Sequence, residues 1–78
     1  MPYIEREARD GAFVNPEKPG ELNYAITQLI IDYLYGRTSY AAFNEVIGVL
    51  ECAKLELYRK MVAPYEDKKC AENGDVYS

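Results

Sequence analysis

The segment from Val46 to Ala53 constrains the fold of this chain more than any other. It reads Val-Ile-Gly-Val-Leu-Glu-Cys-Ala, so that apolar side chains would point to nearly every side of a helix. A surface helix of a small protein normally carries one apolar stripe and one polar face. A domain of this size buries only about 60% of the surface that its unfolded chain exposes. We therefore predict that other copies of the chain cover this helix in a homo-oligomer.

Length and composition indicate one small globular domain, residues 1–78, that is neither membrane-bound nor a binder of duplex nucleic acid. The chain is 49% hydrophobic and 28% charged, with a net charge of −4. Affinity for nucleic-acid backbones needs an excess of Lys and Arg. No apolar run approaches the roughly 20 residues of a membrane-spanning helix, and the N-terminus lacks the pattern of a signal sequence. We expect a cytoplasmic protein.

The cysteine and histidine counts argue against a metal, a cofactor or nucleophilic catalysis. Cys52 and Cys70 are the only cysteines, they do not form a C-x-x-C pair, and the chain has no histidine. Structural zinc sites need more ligands than this. Ser-His and Cys-His pairs are unavailable. The sequence predicts no metal, no cofactor and no enzymatic activity.

The first 20 residues are predicted to form an N-terminal arm. They contain Pro2, Pro16 and Pro19, together with a mixed-charge run at 5–10. Prolines interrupt helices, so the arm should be extended with at most one short turn. Its apolar residues favour a position over a neighbouring helix.

Residues 21–62 are predicted to form a helical hairpin in an all-α fold. Between Glu21 and Tyr35 the apolar residues recur at helical spacing, and Gly36 is a typical C-terminal stop. Either Thr38 or Ser39 can cap the next helix. Such a short connection makes the two helices antiparallel neighbours.

The second helix of the hairpin is the long one, expected from about Tyr40 to about Val62, where Ala63-Pro64 ends it. Gly48 in mid-helix costs roughly 1 kcal/mol relative to Ala, so we expect it to mark the close approach of a helix from another subunit. The main apolar stripe should pack on the first helix. It consists of Phe43, Val46, Ile47, Leu50, Ala53, Leu57 and Met61.

Residues 63–78 are predicted to form a polar C-terminal tail that begins as a solvated helix or turn. Asn73-Gly74 is a strong turn signal. Val76 and Tyr77 give the tail apolar groups with which to dock on a neighbouring subunit.

The aromatic composition provides the first candidate ligand contacts. The chain has eight Tyr, two Phe and no Trp. Tyrosine suits half-buried sites and subunit interfaces as well as stacking on nucleobases, and both uses stay open. Tyr24, Tyr40 and Tyr58 are the candidates for stacking. Asn44 could read a base edge or serve as a local backbone partner.

Lys54 and Arg59 belong to the basic part of the long helix and are the candidate phosphate contacts. From two or more subunits they could meet at a symmetry axis. The competing interpretation is a lattice of salt bridges along the helix, with Glu56 and Lys60 paired at i, i+4 and Glu51 facing Leu55 without a partner.

Scattered carboxylates leave a weaker alternative, a Mg-dependent nucleotide hydrolase. They lack the alternating spacing of a calcium loop and contain no repeated Glu-x-x-Glu pair. The acidic residues concerned are Glu51, Glu56, Glu66, Asp67 and Asp75.

Three blocks of the chain, Gly20–Thr27 (GELNYAIT), Asn44–Glu56 (NEVIGVLECAKLE) and Ala63–Tyr77 (APYEDKK to ENGDVY), resemble a family of very short phage and prophage proteins. The resemblance covers nearly everything after Gly20 and transfers no residue roles. It implies action in the cytoplasm of an infected or lysogenic host cell. By analogy of type, small oligomeric phage proteins sequester nucleotide signals of bacterial immunity between their subunits.

The function predicted from these observations is sequestration of a small anionic ligand between subunits, in the manner of an anti-defence sponge for a cyclic nucleotide. The contacts would come from Tyr24, Tyr40, Asn44, Lys54, Tyr58 and Arg59. The alternative is a helical interaction module that caps a host or phage protein with the same apolar and Tyr-rich surface.

Overall fold

The computed structural model describes the backbone of residues 2–77, and the side chains of 10 and 12–14 lie outside the description. The part described is helical and contains no strand, which confirms the all-α prediction. The helices are α1 (Arg6–Val14), α2 (Pro19–Leu34), α3 (Tyr40–Leu57), a π-helical turn (Tyr58–Val62) and α4 (Ala63–Asn73). The chain divides into two compact units, Met1–Phe43 (unit one) and Asn44–Ser78 (unit two).

In the first unit, α1 packs on α2. The prediction of an extended N-terminal arm is therefore wrong, since nine of its residues form a helix. The prolines flank this helix instead of interrupting it, because none lies between Pro2 and Pro16. The Nε of Arg9 donates a hydrogen bond of 3.0 Å to the carbonyl oxygen of Ile4 and ties the helix to the preceding residues.

The start of α2 lies at Pro19, two residues before the predicted Glu21. Proline suits the first helical position, because its missing N–H would have no partner there and its φ is already helical. The side chain of Glu21 folds back and accepts a hydrogen bond of 2.9 Å from the backbone N–H of Glu17. This bond satisfies a backbone donor ahead of the helix, as in a capping box.

The helix stop and the helix cap between α2 and α3 follow the prediction. Gly36 has φ 75°, the left-handed conformation that ends many helices. Arg37 donates from its backbone N–H to the carbonyl oxygen of Leu34 at 2.8 Å. Of the two predicted caps, Ser39 is the one used: its Oγ accepts a hydrogen bond of 3.1 Å from the N–H of Ala42.

The long helix does not end at Ala63-Pro64, as the sequence suggested. Leu57 and Ala63, on either side of the π turn, both have right-handed helical dihedral angles, and α4 continues to Asn73. Pro64 has no N–H to donate and its ring crowds the preceding turn. The backbone N–H of Ala63 donates a hydrogen bond to the carbonyl oxygen of Tyr58, five residues earlier in the chain. The π turn that this bond closes is wider than an α-helical turn and accommodates the proline.

Most of the predicted tail is consequently helical. Gly74, with φ 87°, follows the last residue of α4, so the Asn73-Gly74 signal marks a helix end. Val76 and Tyr77 beyond it are exposed. Their docking on a neighbouring subunit stays a prediction.

Burial is scarce throughout the part of the chain that the structure describes. Ala42 is its one buried apolar residue. In the stripe that was expected to pack on the first helix of the hairpin, Ile47, Leu57 and Met61 are 65%, 56% and 66% exposed. The expected covering of these three residues is therefore wrong: in unit one, α1 supplies the packing on α2 that the hairpin assigned to the second helix.

None of the helices described over residues 2–77 is both long enough and apolar enough to cross a membrane.

The cap on α3 gives the first prediction. Replacing Ser39 with Ala removes the acceptor for the Ala42 N–H and should lower the free energy of unfolding by about 1 kcal/mol. Urea unfolding followed by circular dichroism at fixed protein concentration measures the change. Thr38→Ala is the matched control and should have little effect; equal losses for the two variants would contradict the assignment of the cap.

Candidate functional site

The six predicted ligand contacts lie in both units. Tyr24 and Tyr40 belong to unit one, in α2 and at the start of α3. The others belong to unit two, where Lys54 lies one helical turn before the adjacent residues Tyr58 and Arg59. This basic and aromatic segment, residues 54–59, is the candidate site.

Tyr24 and Tyr40 present different surroundings. The guanidinium of Arg9 lies 5.7 Å from the centre of the Tyr24 ring, a cation–π contact between α1 and α2. Tyr40 is 79% exposed, so its ring is open to a partner. Sequence reasoning missed Arg9, because this contact requires the helix that replaces the predicted arm.

The cations of the site are held in salt bridges along the helix. Lys54 Nζ lies 3.2 Å from Glu51 Oε2, and Arg59 Nη2 lies 3.5 Å from Glu56 Oε2. The lattice interpretation is confirmed in kind, but both details of its geometry differ. Glu56 pairs with Arg59 at i, i+3 and not with Lys60 at i, i+4, and Glu51, expected to lack a partner, pairs with Lys54 at i, i+3, a spacing that also brings side chains together on a helix.

Around the helix axis the two cations face different directions. Lys54 and Arg59 are five residues apart, which corresponds to about 140° of rotation. Tyr58 lies one turn from Lys54 and on the same side. One copy of the site can therefore direct Lys54 and Tyr58 together toward a ligand, whereas Arg59 faces elsewhere.

Tyr58 is joined to Glu66 across the π turn. Its hydroxyl donates a hydrogen bond of 3.0 Å to Glu66 Oε1. In a regular α-helix, residues eight apart would be separated by about 80° around the axis. The extra residue of the π turn rotates α4 back by about 100°, which brings both side chains to one face. The sequence gives no simple signal for this pair, because its spacing is wrong for an unbroken helix.

The same contact changes the acidity of Tyr58. The hydrogen bond to Glu66, and next the negative charge of that carboxylate, raise the pKa of Tyr58 above its usual 10.0. The phenol stays neutral over the physiological range and acts as a donor. It is not placed to serve as a base.

Unit one contains a shallow groove beside the start of α2. Its volume is about 460 Å³. Tyr3, Ile4, Ala8, Lys18, Gly20 and Glu21 are among its lining residues. None of the six predicted contacts lines this groove.

A cation site does not emerge from the acidic residues. Across the described residues, no group of three or more His, Cys, Asp or Glu side chains is arranged to hold a metal ion. Glu51 and Glu56 are engaged with the cations of the site.

A known protein family matches nearly the whole chain. Residues 1–76 match the family described as Domain of unknown function (DUF6899). The chain belongs to this family. No curated protein and no solved structure matches the chain. The family match covers the N-terminal helix as well as the long helix, and it assigns no activity to either.

The π turn yields the second prediction. Pro64→Ala restores the missing N–H, so we expect a regular α-helix in which Tyr58 and Glu66 no longer meet. The pKa of Tyr58 should then fall toward 10.0. Absorbance titration of tyrosinate, compared with Tyr58→Phe to assign the signal, follows this change.

The raised pKa of Tyr58 determines how the stability of the fold changes with pH. Folding favours the neutral form of Tyr58. The contribution of this residue to the free energy of unfolding is therefore complete below pH 10.0, its usual pKa, and is lost as the pH rises through the higher pKa of the folded state. Glu66→Gln keeps an acceptor and removes the charge, so it should lower the pKa partly. An unchanged titration curve in Pro64→Ala would contradict the role of the π turn.

Proposed function

We propose that the protein is a homo-oligomeric binding protein that sequesters a small anionic ligand, first of all a nucleotide signal, between its subunits. Tyr58, Tyr40 or Tyr24 would stack on a base, and Asn44 would read its edge. Lys54 and Arg59 would contact phosphates.

The proposal of a homo-oligomer rests on the apolar side chains that the chain leaves exposed. In unit two, Leu55, Leu57 and Met61 are 55%, 56% and 66% exposed, and none of the described apolar residues of this unit is buried. Apolar surface exposed along a helix is typical of interfaces between subunits. Association would supply the apolar burial that the described residues lack.

The salt bridges of the site are compatible with ligand binding. All four side chains of the Lys54–Glu51 and Arg59–Glu56 pairs are more than half exposed. Exposed pairs contribute about 0–1 kcal/mol, so exchanging a carboxylate for a phosphate costs little. Phosphate also accepts charge-assisted hydrogen bonds from Arg in a two-pronged geometry.

The directions of the side chains support a site shared by subunits. Lys54 and Arg59 of one helix diverge, so one phosphate could meet both kinds of cation only if they came from different copies. The Tyr58 ring remains available for stacking, since the residue is 51% exposed while its hydroxyl is bound to Glu66. A shared site would also concentrate positive charge that the net charge of −4 per chain conceals.

The proposal includes three further expectations. The protein binds its ligand without chemical conversion, it acts in the cytoplasm of an infected or lysogenic host cell, and it is of phage origin. These rest on the absence of histidine and on the resemblance of three sequence blocks to short phage proteins.

A thermal-shift screen against linear and cyclic nucleotides tests the ligand, our third prediction. A nucleotide present at 100 times its dissociation constant should add about 2.7 kcal/mol to stability and raise the melting temperature. The double variant Lys54→Ala, Arg59→Ala should lose most of this shift. Lys68→Ala, an exposed lysine of α4, is the control and should retain it.

Two results would count against the proposal. If no nucleotide changes the melting temperature, the ligand is not a nucleotide. If a bound nucleotide is recovered in fragments after incubation with Mg²⁺ and heating, the protein is a hydrolase. Recovery of the intact nucleotide is the expected outcome.

A protein-interaction module is the second candidate function. The same exposed apolar residues favour it, because large uncovered patches are typical of interaction sites. A defined partner that binds the wild type, together with an unresponsive nucleotide screen, would select this function.

A further inference from the structure

The exposed side of α3 contains a seam with the spacing of a coiled coil. Ile47, Leu50, Lys54 and Leu57 alternate by three and four residues, which places Ile47 and Lys54 at a positions and both leucines at d positions. They belong to one uninterrupted α-helix, which ends where the π turn begins at Tyr58. All four are exposed.

We propose that a second copy of the chain covers this seam in an antiparallel pair of α3 helices. This inference rests on the oligomeric part of the proposed function and does not depend on the ligand. Ile47 of each copy would lie opposite Leu57 of the other, and Leu50 opposite Lys54.

The chemistry of the seam fits such an occupant. Three of its four residues are apolar, and Ile47, Leu50 and Leu57 are 65%, 37% and 56% exposed. A second copy brings an identical apolar seam, which satisfies the self-complementarity of a two-fold interface.

Charge determines the direction of the pair. In an antiparallel arrangement, Lys54 lies opposite the Leu50 of the second copy and beside its Glu51. The two Glu51–Lys54 pairs, each closed at 3.2 Å within its own chain, would then form a cluster of four alternating charges. A parallel arrangement would place Lys54 directly opposite Lys54, a like-charge contact.

Gly48 lies on a different face of α3, which is the alternative place for a contact between subunits. The seam leaves Gly48 on the outer side of the pair, and a Cβ added there would meet nothing within 4 Å inside the chain. If Gly48 lay at the contact between subunits instead, Gly48→Leu would dissociate the assembly. The proposed seam thus departs from the sequence-based expectation of a subunit contact at Gly48, and it predicts that Gly48→Leu leaves the assembly intact and increases helicity.

Charge reversal tests the cluster, our fourth prediction. Lys54→Glu makes the cluster entirely acidic and Glu51→Lys makes it entirely basic. Each variant alone should raise the dissociation constant about tenfold or more. Lys69→Glu is the control: it also reverses a lysine and breaks an i, i+3 pair, with Glu72, but it lies outside the seam.

Mixing the two variants separates contacts between chains from contacts within one chain. The 1:1 mixture should form a heterodimer of wild-type affinity, identified by native mass spectrometry, because opposite charges meet only across the seam. Intrachain pairing cannot be rescued by mixing. Circular dichroism of each variant checks that the helix is retained.

Cross-linking then tests whether the two α3 helices run antiparallel. Ala53→Cys, in a Cys52→Ala, Cys70→Ala background, lies beside the two-fold axis only if the helices are antiparallel, and a short bis-maleimide should join the two copies. The control retains Cys52 as its single thiol, which faces outward and should not be joined.

Four results would overturn the proposal. They are variants that still self-associate as tightly as the wild type, a mixture that fails to form the heterodimer, Ala53→Cys chains that are not joined, and dissociation by Gly48→Leu. In each case an oligomeric wild type would leave the proposed function standing, whereas a monomeric wild type would remove both.

Discussion

Apolar burial is the physical requirement that organises this protein, and a single chain meets little of it. Helices in globular proteins owe most of their stability to the packing of an apolar face. Here Ala42 is the one buried apolar residue among those described, while Ile47, Leu57 and Met61 remain largely exposed. The local features, such as the Ser39 cap and the left-handed Gly36, define where helices begin and end. They do not replace a core, and in the proposed oligomer the missing burial would come from contacts between copies.

The long helix also arranges the charged and aromatic groups. Its salt bridges are exposed and weak, which leaves Lys54 and Arg59 available for exchange with other anions. Pro64 requires a π turn, and this turn brings Tyr58 and Glu66 together across it. One residue that disfavours a regular helix thus brings about a specific polar contact between distant turns of the segment. A binding surface on this helix would combine the hydrogen-bonded Tyr58 with cations that are held in exposed salt bridges.

Local signals in the sequence predicted the helical class, the Gly36 stop and the cap near Ser39, because each depends on a few adjacent residues. The helix α1 was missed because the prediction relied on the prolines of the first 20 residues as helix breakers, whereas none of them lies between Pro2 and Pro16. The extension through Pro64 was missed as well, because proline usually ends a helix and the compensating π turn depends on geometry. The contacts of Arg9 with Tyr24 and of Tyr58 with Glu66 required the folded arrangement.

The molar mass of the intact chain in solution tests the central claim most directly. Sedimentation equilibrium over a range of concentrations should give a mass of at least two 8.9 kDa chains, with dissociation only on dilution. Helicity should fall together with the mass, because covering the apolar faces is what stabilises the helices. A fully helical chain that keeps the mass of one copy at every concentration would contradict the account.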